Sequence, residues 1–151
     1  DRSPSRGLGD VYKRQADWSV GQLRAQSKLH RLIINCVIYA ELSVAFSTLE
    51  ALDRVLNGVQ LKIVEIPKPA LFLAGKAFAR YRRLGGVKNN VLGNFFIGAH
   101  AAVSGLPVLT RDPRRYQSYF PGVRLVSPLS TSVGPGLGPD PIMTGARAHS
   151  L

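Results

Sequence analysis

Cysteine is nearly missing from this chain: there is one, Cys36, in 151 residues. A lone thiol closes no internal disulfide, and neither it nor the three histidines His30, His100 and His149 fall at zinc-ligand spacing. A disulfide-stapled scaffold and a zinc ribbon are therefore excluded. Long apolar runs are also lacking. No stretch approaches the roughly 20 residues that cross a bilayer, and no charged-then-apolar signal segment leads the chain, so a reducing cytoplasm is the expected setting. Negative charge is scarce as well. Nine Asp and Glu stand against 20 Lys and Arg, a formal charge of +11. That excess favours a polyanionic partner, nucleic acid before an acidic protein or an anionic membrane surface, against the plainer reading that it aids solubility. A Gly-rich nucleotide loop after a strand is absent too, which disfavours a phosphate-binding regulatory domain.

What is present suits one layered domain, since 45% hydrophobic residues in a chain of this length suffice for a real core. Residues 1–15 have no helical or strand period. Their end, D-V-Y-K-R-Q from Asp10 to Gln15, resembles the translation of a transposon-end sequencing adapter, so they read as a non-native leader. Regular structure is expected over 16–128. Asp17 can cap a helix carrying Trp18, Val20, Leu23 and Ala25. Arg31 to Asn35 reads as a buried strand, and Asn35 as the N-cap of a helix from Cys36 to about Phe46 that bears Glu41. Ser47-Thr48-Leu49-Glu50 has capping-box form before Leu52 and Leu56. Leu61 to Ile66 alternates like a strand, and a helix over Pro69 to Leu84 is expected to turn Leu71, Ala74, Phe78 and Tyr81 to one face, with Lys76, Arg80 and Arg83 on another.

The stretch Val91 to Asp112 organises the rest. Asn94 opens a helix that stops at Gly105, Leu106 to Leu109 is a short apolar strand, and Thr110-Arg111-Asp112 follows directly. Polar residues just past a strand's C-terminal end face the ligand crevice in α/β sheets. Arg114 to Tyr116 begins a helical turn, Val123 to Val126 is a last strand, and 129–151, rich in Ser, Gly and Pro, reads as a disordered tail. Strands alternating with amphipathic helices indicate a layered α/β domain with a mostly parallel sheet.

By residue type, Glu41 and Asp112 suit a hard divalent cation near a polar crevice, and a basic protein holding such an ion suits attack on a phosphodiester. Each also has a plainer reading. Glu41 fits a solvated helix face; Asp112 before Pro113 fits an N-cap; Asn94 fits a helix start; His100 fits a packed or surface residue. Lys76, Arg80 and Arg83 fit a solvated face as well as a phosphate track.

Three blocks in order, I-N-C-V-I-Y-A-E-L-S (Ile34 to Ser43), L-x-N-F-F-I-G-A-H-A-A (Leu92 to Ala102) and P-V-L-T-R-D (Pro107 to Asp112), resemble the PIN-domain proteins, and within them the bacterial VapC-type toxin ribonucleases. The resemblance runs from Ala16 to about Pro128. It implies a three-layer α/β/α fold, Mg²⁺ or Mn²⁺ bound by carboxylates, endonucleolytic cleavage of RNA and inhibition by a cognate antitoxin; a homodimer is compatible with it. With RNA as substrate, the arginines around Arg80, Arg83, Arg111, Arg114 and Arg115 are expected to position it. Residue by residue, Glu41 matches the family's helix glutamate and Asp112 the T-R-D aspartate, with Thr110 as a supporting hydroxyl. The chain also departs from the pattern. The family's first strand, ending in Asp-x-Asn, has no counterpart in residues 1–15; Gly93-Asn94 replaces Pro-Asp; Asn35-Cys36 replaces Asn-Pro. Asn94 brings an oxygen without charge, so metal should bind weakly. The loss of a central strand should leave an open, poorly stable sheet and an impaired enzyme. The alternative is a non-catalytic module that binds an antitoxin or RNA.

Overall fold

A computed structural model describes Arg14, Asp17, Trp18 and residues 20–88, 91–127 and 140–145. In chain order the elements are α1 (20–27), β1 (Arg31–Ile34), α2 (Cys36–Ser43), α3 (Leu49–Gly58), β2 (Lys62–Ile63), α4 (Lys68–Arg83), α5 (Leu92–Ser104), β3 (Val108–Leu109), α6 (Arg114–Gln117), β4 (Leu125–Val126) and β5 (Pro141–Thr144). The strands form one sheet in the order β2-β1-β5-β3-β4, with every pair parallel. The expected layered α/β class holds, and parallel pairing follows from helical crossovers between the successive strands up to β4.

The middle of the sheet departs most from expectation. An open centre and a disordered tail over 129–151 were expected; instead Pro141–Thr144 lies between β1 and β3. Ile33 pairs with Met143 and Leu109 with Thr144. The Met143 amide donates to the Pro107 carbonyl at 3.0 Å and the Gly145 amide to the Leu109 carbonyl at 2.8 Å. The physical reason is burial. Ile142, Met143 and Thr144 are shielded on both faces, and a slot lined by Ile33, Ile34 and Val108 rewards a strand whose side chains fit it. Composition rich in Gly and Pro around the short apolar pair Ile142-Met143 hid that strand. The leader reading of residues 1–15 lies outside the described residues except at Arg14.

Local chemistry explains the helix starts. Asn35 caps α2 by accepting the Ile38 amide at 3.0 Å, as its type predicts. Thr48, rather than Ser47, caps α3 by accepting from the Ala51 amide at 3.1 Å, so the capping residue is one position later than the box form suggests. Tyr39 ties the two helices by donating to Asp53 at 2.8 Å, and that hydrogen bond holds the phenol above its usual pKa. Gly105 ends α5 in the left-handed region at φ 64°, where a side chain would be strained.

Helix α4 begins one residue earlier than expected, with Pro69 in its first turn. Its buried face is Ala70, Ala74 and Ala77, whereas Leu71 is exposed and Phe78 and Tyr81 are half-buried. Small residues let α4 approach α5 closely, and Phe78, Tyr81, Phe95, Tyr119 and Phe120 then stack along the flank. Gly98 on α5 accommodates this: a Cβ there would come within 2.3 Å of the Phe120 ring. The edge strand β2 is only two residues long and exposed, shorter than the alternation over Leu61 to Ile66 suggests, because it has a partner on one side only.

Asn35 does more than cap. Its Nδ2 reaches His100 Nδ1 at 3.1 Å and Met143 Sδ at 3.8 Å, so one buried amide joins the end of β1 to α5 and β5. Asn35→Ala strands the Ile38 amide and the imidazole at once and is expected to destabilise the domain by about 2–3 kcal/mol in urea titrations.

Candidate functional site

Because the sheet is all parallel, the chain leaves β1, β5 and β3 at one common edge. There Asn35 starts α2 after β1, Gly145 follows β5, and Thr110-Arg111-Asp112 follows β3. A narrow cleft opens at this edge. Leu109, Thr110, Arg111, Asp112 and Arg115 form one wall, Thr144 and Gly145 its floor, and Trp18, Gln22, Leu23 and Gln26 the opposite wall. A larger hollow of about 1120 Å³ lies where β3 and β5 begin, with Arg124 and Asp140 as its charged residues. It is at the wrong end of the strands for a crevice of the α/β type.

Thr110 builds the loop that carries Asp112. Its buried hydroxyl accepts the Asp112 amide at 3.1 Å, a local turn that fixes the aspartate's backbone. The expected supporting hydroxyl is thus a positioning group for Asp112. The Asp112 side chain does not cap α6, for which Pro113 is the N-cap residue; its Oδ2 takes Arg115 Nε at 3.2 Å instead. With the two side chains 46% and 25% exposed, such a pair is worth at most about 1 kcal/mol, and a stronger cation can displace Arg115.

Thr110, Arg111, Asp112 and Arg115 therefore share the cleft. Glu41 and Asn94 are not on its walls. They sit on α2 and α5, which pack on one another: Glu41 is half-buried with Oε2 shielded from solvent, and Asn94 is buried in the first turn of α5. The strands that lead to Glu41 and Asp112, β1 and β3, are two strand spacings apart with β5 between them, roughly 10 Å. Of the arginines off the cleft, Arg80 lies over the Tyr119 ring with 6.0 Å to its centroid, while Arg83 and Arg114 are exposed.

The donors are hard oxygens, right in kind for Mg²⁺ or Mn²⁺ but short in number. Among the described residues no group of three His, Cys, Asp or Glu gathers as a cation cage. Asn94, the expected third ligand, is a neutral amide, and Thr144-Gly145 ends the central strand without an acid.

The wall from α1 was not foreseen as part of a site. Trp18, Gln22 and Gln26 recur every four residues, which is one helical stripe, and Arg111 stacks on the Trp18 ring 4.5 Å from its centroid. That stripe was legible; its docking beside β3 was not.

His100 is buried against Asn35. The Ile38 amide occupies Asn35 Oδ1, so Nδ2 faces the ring and His100 Nδ1 must accept, which puts the ring proton on Nε2. Burial lowers the imidazole's pKa below 6.5. Between the folded and unfolded values the unfolded chain binds the extra proton, so this contribution to stability is complete above about pH 6.5 and is lost as pH falls toward the folded value. Urea midpoints are expected to drop between pH 7.5 and pH 5, and a His100→Gln variant should drop less.

Among the described residues no helix is long and apolar enough to cross a membrane. Comparison of the chain with family models, curated proteins and solved structures finds no match.

Proposed function

We propose that this chain is a PIN-type endoribonuclease domain, of the kind that an antitoxin restrains, with its metal affinity weakened by its own sequence. The observation that carries the reading is Asp112, held by the Thr110 turn at the C-terminal edge of a parallel sheet and opening into a cleft lined by Arg111 and Arg115. A net charge of +11 supports RNA as the polyanion. Arg111, Arg115 and, further off, Arg80, Arg83 and Arg114 hold phosphates and orient the strand. Trp18 offers a ring face for a base. Glu41 and Asp112, with the Asn94 amide oxygen as a neutral third donor, are the residues that would hold Mg²⁺ or Mn²⁺. The ion would supply an activated water for attack on phosphorus. With the ion bound, Asp112 would be one of its holders in place of its pair with Arg115, and the Arg115 guanidinium would be left to a phosphate.

The test is cleavage of a mixed-sequence RNA over a Mn²⁺ titration. Weak cleavage removed by a chelator and by Glu41→Ala supports the enzyme. A second reading has its own support in the Asp112–Arg115 pair, which occupies the cleft's carboxylate: a non-catalytic module that binds RNA or an antitoxin. Salt-sensitive RNA binding indifferent to chelator and to Glu41→Ala would favour it and overturn the first.

A further inference from the structure

The central strand is the last described element in the chain, and β1 and β3 do not pair with each other. Without β5 the sheet falls into two ribbons, β2-β1 and β3-β4, while the packing of α5 on both α4 and α2 still holds the walls of the gap. We propose that this gap is an exchangeable strand site, and that its alternative occupant is the β5 strand of a second copy of this chain, giving a reciprocal strand-swapped dimer.

Three observations point to an identical strand rather than to an arbitrary peptide. The gap reads side chains on both faces: Ile142, Met143 and Thr144 are all buried in it. It reads them individually, since Met143 Sδ lies 3.8 Å from Asn35 Nδ2, and a Cβ at Gly145 would sit 3.0 Å from the Tyr116 hydroxyl and 3.3 Å from the Leu109 carbonyl oxygen. The number of residues between β4 and β5 is also large enough for a second copy to be reached. Residues 127–140, fourteen in all, join β4 to β5 and include three prolines and three glycines. Fourteen residues can span at most roughly 46 Å.

The same arithmetic gives the experiment. To return from the end of β4 to the start of β5 the chain must run back about 13 Å along the strands, cross two strand spacings and skirt a packed layer about 10 Å thick. That path is over roughly 30 Å, which fourteen residues cover and six, at roughly 20 Å, do not. Deleting residues 130–137 leaves six. The full chain carrying that deletion is expected to fold only as a dimer by light scattering at every concentration, while the parent is monomeric when dilute and gains a dimer fraction when refolded at high concentration. A second test uses two full-length copies, one with Met143→Glu, which spoils the strand, and one with Val108→Glu, which spoils the gap. Each alone should lack a cooperative thermal transition. Refolded together, the sound gap of the first takes the sound strand of the second, and a transition with about half the parental amplitude should return. A deletion variant that folds as a monomer, or a co-refolded pair with no transition, overturns the proposal.

Discussion

Met143→Glu is expected to abolish cooperative thermal unfolding of this protein. Met143 is fully buried in the central strand, paired with Ile33 on one side and Val108 on the other, and its sulfur faces the Asn35 amide. A carboxylate there has one polar neighbour and no cation. Burial of an uncompensated charge costs several kcal/mol, comparable with the whole stability of a domain of this size, roughly 5–15 kcal/mol. Met143→Leu, which nearly conserves volume, should cost less than about 1.5 kcal/mol. Circular dichroism melts of the two variants separate a central strand from a structureless tail: in a tail, both substitutions would leave the midpoint within about 0.5 kcal/mol of the parent.

The second large effect concerns activity. Asn94→Asp adds a formal negative charge in the first turn of α5, on the helix that packs against the one carrying Glu41. A helix N-terminus favours an anion, and a third carboxylate is what the donor set lacks for a hard cation. Under the proposed function, Mn²⁺-stimulated RNA cleavage is expected to rise at least tenfold, with half-saturation at lower Mn²⁺. An unchanged Mn²⁺ titration would remove Asn94 from the ion's surroundings. In the absence of metal the variant should be less stable than the parent by about 1–3 kcal/mol, because a buried carboxylate then lacks its counter-ion.

Local chemistry was readable and long-range placement was not. Asn35 as an N-cap, Gly105 as a helix stop, proline in the first turn of α4 and Thr110-Arg111-Asp112 past the end of a strand all follow from residues within a few positions of one another. The buried face of α4 does not, since alanines outcompete leucines there only because α5 lies close. Asp112 pairing with Arg115 instead of capping was a contest between two local options with similar energies, and composition does not decide it. The Trp18, Gln22 and Gln26 stripe was visible as a period, but nothing near it in sequence says that it faces Arg111. Most of all, a four-residue strand with two large apolar side chains, set among glycines and prolines, carries almost no signal of its own. Its role is set by a gap made of residues far upstream.

That distance has a kinetic side. Ile33 is aligned with Met143, 110 positions later, so during synthesis β1 and β2 leave the ribosome well before the strand that joins them to β3 and β4. The nascent polypeptide must hold two unpaired parallel ribbons apart from each other's neighbours until then. Domains whose decisive pairing is this remote fold slowly and expose sticky edges meanwhile, so the yield of native protein should depend on chaperone supply and low temperature during expression.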